Sequence, residues 1–454
     1  MMVVEEVQRQ IANRALLAGD KLPSIRSYAA RLGMAPSTVV EAYDRLVAEG
    51  LISARRGSGF YVSNVKQPFE IAQAGPHLDR VIDPLWVSRQ SLDASPKHLK
   101  PGCGWMPADW MPQQAIRKAI RSQARANEEG LSDYGNARGL PELRNLLVRD
   151  WVDEGLSLSP DQILLTSSGT QSIDLICRLL LRPGDCVLLD DPAYFNFQAL
   201  LRAHRVTVIG VPLQKDGPDL EYFEKTLIKH KPSLYVTNSG LHNPTGVTLS
   251  LQKAHKLLKL AADHDLTIIE DEIFSAFEPE PSARLAALDG LSNVVRIGSY
   301  SKTLSASIRC GYIAAKPDWI EALTDLQVAT NFGGPGPFAA NMVFTVLRDG
   351  GYRRQLETTR TLLAKRRAEV AGKLDALGIM PWILPRGGFY LWCELPGNVS
   401  ASTLARNALK EDIILAPGNA FSLTQTKDCF MRFNVSQMQS DDVFGRLSRL
   451  LDEI

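Results

Sequence analysis

The feature that most constrains the fold is an alternation of short apolar runs with helical stretches, which begins near residue 97 and continues toward the C-terminus. Helical stretches at 171–181 and 250–264 each lie between two consecutive apolar runs. Because strand–helix alternation lays the strands parallel within one sheet, this pattern predicts a mostly parallel sheet wrapped in helices. The apolar, β-rich runs are residues 162–166, 186–189, 206–211, 233–237, 266–270 and 294–298.

The length of the chain requires more than one core. It has 454 residues, and single cores stop growing near about 250–300 residues, so two or three domains are expected. The 51 basic residues balance 50 acidic ones. This balance excludes a protein coated in basic charge but leaves room for a small basic face.

Cysteine usage and the N-terminus bear on the compartment. The six cysteines are scattered without a Cys-x-x-Cys pair, which argues against a disulfide framework or a metal site and indicates a reducing compartment. Glu5 and Glu6 lie where a signal peptide requires positive charge. No apolar run approaches the roughly 20 residues that span a bilayer. We therefore expect a cytoplasmic protein that binds no metal and no membrane.

The first 64 residues have the pattern of a small helical domain. Helices are expected over residues 3–17, 24–33 and 36–50, the second with Ser24 as its N-cap. Residues 51–63 then predict a hairpin with a glycine-rich tip. Three helices and a hairpin are the plan of a winged helix-turn-helix, whose third helix enters the DNA major groove. The third-helix residues expected to face the core are Val39, Tyr43, Leu46 and Val47.

Residues 19–62, GDKLPSIRSYAARLGMAPSTVVEAYDRLVAEGLISARRGSGFYV, resemble the GntR family of bacterial regulators over the whole block. The resemblance implies double-stranded operator DNA as a partner. Arginines grip phosphates or guanine edges, small hydroxyls approach the DNA backbone, and glycines let the wing tip come near. The DNA contacts implied by the resemblance are Arg26, Ser37, Thr38, Arg55, Arg56, Gly57 and Gly59.

One position departs from the pattern of that family. Many relatives carry a basic residue where this chain has Pro36, at the start of the third helix. At Pro36, contacts to the DNA bases are therefore not expected to follow the pattern of the family. A winged helix that mediates only protein contacts is the alternative interpretation.

Residues 65–96 are typical of a tether between domains, because they mix proline, glycine, glutamine and short apolar patches without a sustained period. A short helix is expected around residues 84–92. The predicted organisation is a DNA-binding domain over 1–64, a linker over 65–96 and a large domain over 97–454.

Polar residues follow five of the apolar runs at the point where each run ends. In open sheets of this kind, ligands bind beyond the carboxyl ends of the strands. Hydroxyls and bare N–H groups at a helix N-terminus bind phosphate. Together with an aromatic plate, an amide, a carboxylate and a lysine, they suit pyridoxal 5′-phosphate. The residues at these ends are Gly169, Thr170, Tyr194, Asn243, Asp271, Ser299, Ser301, Lys302 and Arg309.

Seven segments of the large domain resemble class I aminotransferases of fold type I, in the order of that family. The implied fold is an α/β transferase fold with large and small subdomains, preceded here by the winged helix-turn-helix. The segments are SDYGNARGLPELR (132–144), SSGTQSID (167–174), HNPTG (242–246), EDEIF (270–274), SYSKTLSASIR (299–309), RGGFYLW (386–392) and APGNAFS (416–422).

The resemblance carries over to individual positions. Lys302 matches the catalytic lysine that forms a Schiff base with the cofactor aldehyde, for which its amine must be partly neutral. A desolvated, cation-rich pocket promotes the neutral form. The positions that match the phosphate-binding set are Gly169, Thr170, Ser299, Ser301 and Arg309.

Other matched positions surround the cofactor ring and the substrate. Asp271 matches the partner of the pyridine nitrogen, Asn243 the donor to the ring 3-oxygen, and Tyr194 the stacked ring. Tyr134 matches a tyrosine that reaches the phosphate from the partner subunit. Arg432 matches the arginine that forks the α-carboxylate of a substrate or effector.

A second departure follows Asp271. Aminotransferases generally place a tyrosine two or three residues later, where it bonds to the 3-oxygen, but this chain has Ile273 and Phe274. We expect attachment to Lys302 to survive this loss while turnover weakens. The departure is typical of a sensor rather than an efficient catalyst.

A GntR-type winged helix tethered to an aminotransferase-like domain is the layout of the MocR subfamily. The resemblance implies a homodimeric transcriptional regulator in which pyridoxal phosphate, or its adduct with an amine or amino acid effector, sets DNA binding. The alternative is a working aminotransferase that acts on an amino acid and carries an accessory DNA-binding head. A third interpretation, constitutive DNA binding on a cofactor-free scaffold, predicts a colourless protein.

Overall fold

The computed structural model describes residues 2–12, 16, 19–55, 57–63, 84–95, 97–125, 132 and 134–454. The chain divides into two compact units, residues 1–70 and 71–454. Among the described residues, no helix combines the length and the apolar character that crossing a bilayer requires.

The first unit is a three-helix domain with a hairpin, as predicted. The α2 helix begins at Ser24, whose hydroxyl accepts from the Ser27 N–H at 3.2 Å, and ends at Gly33 in the left-handed conformation. Val39, Tyr43 and Leu46 are buried as expected. The elements are α1 (Met2–Ala12), α2 (Ile25–Leu32), α3 (Pro36–Ala48), β1 (Ile52–Arg55) and β2 (Gly59–Val62).

One predicted core residue of α3 is wrong. Val47 is 38% exposed, because the apolar stripe of this helix follows Val39, Tyr43 and Leu46, at intervals of four and three residues. Val47 therefore lies at the edge of the stripe.

The hairpin forms the wing. Its strands pair antiparallel from Ile52 opposite Val62 to Arg55 opposite Gly59. Gly57 and Gly59 have φ of +78° and +104°, a region that costs side-chain-bearing residues energy and that glycine enters freely. Arg56, at the tip, lies outside the described residues.

The second unit is built on an eight-stranded sheet of order β3-β10-β9-β8-β7-β4-β5-β6. Five neighbouring strands, β9 to β5 in that order, run parallel, while β10 is antiparallel to both of its neighbours. The sequence analysis missed β10 because no helix separates it from β9, so it falls outside the strand–helix alternation on which the prediction relied. The strands are β3 (Ile163–Thr166), β4 (Cys186–Asp191), β5 (Thr207–Gln214), β6 (Gly217–Pro218), β7 (Leu234–Thr237), β8 (Thr267–Asp271), β9 (Val294–Ser299) and β10 (Gly311–Ala314).

Both faces of this sheet are buried. Along β8, for example, Ile268 enters one hydrophobic core and Ile269 enters the other. Successive side chains of a strand point to opposite faces, so a strand covered on both sides is apolar throughout. This is why the strands are continuous apolar runs in the sequence.

A smaller antiparallel sheet of order β11-β12-β14-β13 completes the second unit. It packs with Leu363, Leu404 and Leu447 from three helices. The fold class expected from the sequence, a winged helix-turn-helix followed by a fold type I domain with two subdomains, is confirmed. The strands are β11 (Met380–Pro381), β12 (Tyr390–Glu394), β13 (Ala416–Pro417) and β14 (Phe430–Asn434).

Thirteen α-helices of the second unit lie within the described ranges. The first of them, α4, lies in the stretch that the sequence analysis assigns to the linker. Its Val87 is buried against Phe195, Trp392 and Phe421. The helices are α4 (Pro84–Asp93), α5 (Gln113–Gln123), α6 (Pro141–Val152), α7 (Gly169–Leu180), α8 (Phe195–Ala203), α9 (Leu220–His230), α10 (Leu251–Asp263), α11 (Leu285–Asp289), α12 (Pro317–Asn331), α13 (Pro337–Arg348), α14 (Gly351–Asp375), α15 (Ala401–Lys410) and α16 (Asp442–Asp452).

Candidate functional site

A cavity of about 480 Å³ opens beyond the carboxyl ends of the large sheet. Five strands contribute to it: β3 leads into α7, β4 into Tyr194, β7 into Asn243, β8 ends at Asp271 and β9 ends at Ser299. Parallel strands deliver their ends to one edge, so residues far apart in the chain meet there. The predicted cofactor residues that line this cavity are Gly169, Thr170, Tyr194, Asn243, Asp271, Ser299, Ser301, Lys302 and Arg309.

One end of the cavity is suited to an anion. Ser168 is the N-cap of α7 and accepts from the Gln171 N–H at 3.1 Å. Gly169 and Thr170 are the first two residues of this helix, so their N–H groups have no partner within it. The Ser299 hydroxyl donates to the Ser301 hydroxyl at 3.2 Å. Hydroxyls and free N–H groups at the positive end of a helix favour phosphate.

Arg309 adds a cation to the same cavity. Its guanidinium is exposed, and its positive charge is one of those that lower the pKa of Lys302. The strand β10 begins two residues later, at Gly311.

Lys302 follows β9 and reaches across the cavity. Its ammonium donates to the Gly104 carbonyl oxygen at 2.6 Å. Burial, together with the neighbouring charge of Arg432, lowers the pKa of Lys302 to about 8, whereas Asp271 opposes this change. Roughly a tenth of the amine is therefore neutral at pH 7, the form that attacks a carbonyl carbon.

Asp271 is the buried carboxylate of the cavity. Its Oδ1 accepts from the Ile273 N–H at 3.1 Å, and its backbone carbonyl accepts from Asn238 Nδ2 at 3.0 Å. Burial raises the pKa of Asp271 to about 6, while the Ile273 N–H, Asn238 and Lys302 lower it. A buried carboxylate is stabilised by a nearby positive charge, so a protonated ring nitrogen would be a fitting partner.

Arg432 and Asn243 are hydrogen-bonded to each other on the far side of the cavity. The Arg432 guanidinium donates to Asn243 Oδ1 at 2.8 Å and to the Gly102 carbonyl at 2.7 Å. It also lies over the rings of Tyr390 and Phe421, at 4.2 Å and 4.8 Å. Since Asn243 uses its oxygen for this bond, its NH2 group is left as a donor.

The Arg432 guanidinium has one N–H group that is not hydrogen-bonded within the described residues. Arg432 is 1% exposed, and its Nε has no hydrogen-bond partner among the described residues. A buried donor without a partner costs free energy, which an entering carboxylate would recover.

Tyr194 lies at the N-terminal end of α8. Its hydroxyl accepts from Asn196 Nδ2 at 2.9 Å, and burial raises its pKa. Phe195 and Phe197 pack against its ring at centroid distances of 4.9 Å and 5.4 Å. The ring is therefore fixed in place where it lines the cavity.

Tyr134 is the predicted site residue that does not line this cavity. It is 75% exposed and packs edge-on against Phe332, which is 66% exposed, at 4.8 Å. Within this chain the two rings thus form an exposed aromatic pair.

The predicted DNA contacts lie on the surface of the first unit. Arg26, Ser37, Thr38, Arg55, Gly57 and Gly59 are all exposed. The Arg55 guanidinium lies 4.4 Å from the centre of the Tyr61 ring, and the Tyr61 hydroxyl is bonded to Ser58 at 2.6 Å. This packing holds Arg55 along the wing.

Several cavity residues were missed by sequence reasoning. Gly102, Gly104 and Trp105 come from a loop that follows α4, Tyr390 comes from the small sheet, and α4 itself forms part of the wall. None of them follows an apolar strand of the large sheet, and only Tyr390 lies in a segment that carries the family resemblance, RGGFYLW (386–392). The sequence analysis expected a short helix around residues 84–92 but did not predict its place in the cavity.

Comparisons with known proteins match both units of the chain. Residues 107–449 match the family described as aminotransferase class I and II. Residues 1–62 match bacterial regulatory proteins of the gntR family.

Relatives with both parts cover most of the chain. YdcR of Escherichia coli (strain K12), named an HTH-type transcriptional regulator, is 28% identical over 467 residues, which cover 99% of this chain and 98% of YdcR. The HTH-type transcriptional regulator NorG of Staphylococcus aureus (strain USA300) is 24% identical over 412 residues, 88% of this chain and 92% of NorG.

Solved aminotransferases share the fold of the large unit. LysN, an α-aminoadipate aminotransferase from Thermus thermophilus complexed with N-(5′-phosphopyridoxyl)-L-leucine, superposes with a TM-score of 0.73 at 25% identity, over 81% of this chain and 94% of LysN. An archaeal alanine:glyoxylate aminotransferase gives a TM-score of 0.76 at 23% identity, over 84% of this chain and 97% of that enzyme.

Proposed function

Because this chain belongs to the aminotransferase class I and II family and begins with a gntR-family helix-turn-helix unit, we propose that it is a cytoplasmic, pyridoxal phosphate-dependent transcriptional regulator. Its large unit holds the cofactor at Lys302 and responds to the cofactor or to an amine or amino acid. The observation that carries the proposal is the meeting of Lys302, Asp271 and the N-terminus of α7 in one cavity. This layout is that of the MocR subfamily.

The donors in the cavity fit pyridoxal phosphate at both ends. A Cβ added at Gly169 would meet nothing within 4 Å, so the N-terminus of α7 has room for a phosphate. With it, Ser299, Ser301 and Arg309 would hold the phosphate oxygens. The unpaired Arg432 Nε would bind the carboxylate of an amino acid.

When bound, the cofactor supplies an aldehyde and an electron-accepting ring. Lys302 provides a partly neutral amine for covalent attachment, because burial and nearby cations lower its pKa. Asp271 would hold the proton on the pyridine nitrogen, and the Asn243 NH2 group would orient the ring 3-oxygen. Tyr194 would cover one face of the ring. LysN, which shares the fold, holds a phosphopyridoxyl amino acid.

We also propose a homodimer. Tyr134 and Phe332 form an aromatic pair that is largely exposed, and exposed aromatic pairs are typical of contact surfaces. In the dimer, Tyr134 would reach the phosphate of the partner subunit. A two-fold dimer would bind operator DNA at two related half-sites.

The first unit is proposed to bind that operator. Arg26 and Arg55 would contact phosphates or guanine edges, and Arg56 would join them at the wing tip. Ser37 and Thr38, at the start of α3, would approach the DNA backbone. The gntR-family match supports DNA as the partner.

A second candidate function is transamination, which the presence of Lys302, Asp271 and Arg432 in one cavity favours. Purified protein incubated with amino acids and a keto acid separates the two. Multiple turnovers indicate an enzyme, and a spectral change without turnover indicates a sensor.

The proposal is tested by DNA binding of the full chain with and without pyridoxal phosphate. The DNA probe is a fragment selected by the wild-type protein from a random library. We expect the cofactor to change DNA affinity, and Lys302→Ala to abolish both cofactor attachment and that change. Lys256→Ala, at an exposed lysine of α10, is the matched control. A Lys302→Ala protein that keeps the colour and the response would refute the proposal.

A further inference from the structure

Helix α4 is the first element of the second unit within the described residues, and it forms part of the cavity. It begins at Pro84, after residues 64–83, and the wing of the first unit ends at Val62. The α4 residues that line the cavity are Val87, Ser88, Arg89, Ser91 and Leu92.

A chain of hydrogen bonds joins α4 to the ring that would cover the cofactor. The Ser88 hydroxyl donates to Asn196 Oδ1 at 3.4 Å. The Asn196 amide in turn donates to the Tyr194 hydroxyl at 2.9 Å. Since one amide serves both neighbours, a shift of the Tyr194 ring alters the bond to α4.

A second contact joins α4 to the loop of residues 102–104. Burial raises the pKa of the Cys103 thiol, and the neighbouring Ser91 hydroxyl of α4 lowers it. Cys103 lies between the two glycines whose carbonyls accept from Arg432 and Lys302, at 2.7 Å and 2.6 Å. When an aldehyde attaches to Lys302, or a carboxylate binds Arg432, the hydrogen bonds that these two carbonyls accept change.

Apolar packing supports both connections. Val87 is 1% exposed and packs in one cluster with Phe195, Trp392 and Phe421. The Arg432 guanidinium lies 4.8 Å from the Phe421 ring. The helix therefore touches the surroundings of Tyr194, Lys302 and Arg432 at separate points.

From this arrangement we infer that α4 is the element that couples the ligand cavity to the DNA-binding unit, with Ser88 and Ser91 as its positioning residues. The inference rests on the proposed function, since it concerns how the ligand of that same cavity is read. Binding at Lys302 or Arg432 alters the contacts of α4, and this change alters DNA binding by the first unit. An equilibrium that a ligand shifts requires such differential contacts in its two states.

The first test is hydrogen–deuterium exchange of the full chain, followed by mass spectrometry, with and without pyridoxal phosphate. We expect the cofactor to slow exchange in peptides covering residues 84–93 by about tenfold, because local opening of α4 breaks contacts with the occupied cavity. Exchange in these peptides that stays the same while the cofactor attaches to Lys302 would overturn the inference and leave the proposed function standing.

The second test compares DNA affinity of the cofactor-free and cofactor-saturated chain in a Ser88→Ala/Ser91→Ala variant. Saturation removes any difference in cofactor affinity from the comparison. We expect the wild-type ratio of the two affinities to be about fivefold or more, a usual coupling between sites, and the ratio in the variant to lie within about twofold of one. The Ser122→Ala variant, at an exposed serine of α5, should keep the wild-type ratio.

A Val87→Ala variant gives an independent check, since it loosens the apolar contact and leaves both serines. It too should lower the ratio. If both variants keep the wild-type ratio, α4 does not couple the units, although the cofactor still does. If the wild-type chain takes up no cofactor or shows no ratio different from one, the proposed function fails and this inference fails with it.

Discussion

The two walls of the cavity are built in different ways. The strand-end wall, formed by residues 168–170, Asp271 and 299–302, comes from β3, β8 and β9, which run in the same direction in the large sheet, with the antiparallel β10 between β3 and β9. The opposite wall, formed by α4, residues 102–104 and Arg432, comes from segments up to 330 residues apart, such as Gly102 and Arg432. The first wall offers a phosphate cradle, an amine and a carboxylate, which suit the cofactor.

The opposite wall offers different chemistry. It presents the guanidinium of Arg432, backbone carbonyls and helix α4. The strand-end wall can thus hold the cofactor, while the opposite wall recognises the amine or amino acid. The comparison teaches that cofactor binding and ligand recognition should be separable by mutation.

The largest expected separation is produced by Arg432→Gln. Amino-acid affinity of the cofactor-loaded protein should fall about a hundredfold, since a charge-assisted hydrogen bond contributes roughly 1.5–3 kcal/mol. Cofactor attachment should change much less. Titration with a panel of L-amino acids, followed by absorbance, measures the first quantity. Arg449→Gln, at an exposed arginine of α16, is the control, and an equal loss of cofactor and amino-acid binding would contradict the separation.

A smaller effect is expected from pH in the wild-type chain. The pKa of Lys302 is lowered to about 8, so its neutral fraction rises about fivefold between pH 7 and pH 8 and levels off above about pH 9. The rate of covalent cofactor uptake should follow this curve. Stopped-flow absorbance measures it, and a rate that still rises tenfold per unit above pH 9 would show that the amine is not buried as described.

Substitutions on the two walls should shift the pH midpoint of covalent cofactor uptake in opposite directions. Asp271 raises the pKa of Lys302 and Arg432 lowers it. Asp271→Asn should therefore move the midpoint of uptake to lower pH, and Arg432→Gln should move it to higher pH, each by less than about one unit. Shifts in the same direction would indicate that the variants act through general disorder of the site.

The smallest effect is expected from Phe274→Tyr. Phe274 lines the cavity and is 3% exposed, and a hydroxyl there would restore the donor that aminotransferases generally have. One added neutral hydrogen bond contributes about 1 kcal/mol, so turnover with an amino acid and a keto acid should rise about fivefold. Steady-state product formation measures it, with Phe277→Tyr as the control. A fall in turnover would mean that the hydroxyl finds no acceptor.

The residues of the strand-end wall could be predicted from the sequence because they follow apolar runs. Asp271 comes directly after the apolar run 266–270 and Lys302 four residues after the run 294–298, and parallel strands bring their ends to one edge. The caps of the first unit were accessible for a similar reason, since Ser24 and Gly33 act on the helix beside them. Val47 was misplaced because the width of a buried stripe depends on what packs against it.

The residues of the opposite wall could be predicted from the sequence only in part. Arg432 was found through family order, but its bonds to Asn243 and to the Gly102 carbonyl were not. The role of α4 in the cavity left no local signal, because a short amphipathic helix in a polar linker has the same pattern wherever it packs.

The amino-acid sequence by itself thus determined the order of the elements, the two units and the residues at the strand ends, because these depend on periodicity and on near neighbours. Tertiary structure alone decided which carbonyls face Lys302 and Arg432, where α4 packs and how far burial moves each pKa. Those properties depend on groups brought together from distant parts of the chain, and on the water that their packing excludes. No stretch of sequence contains that information locally.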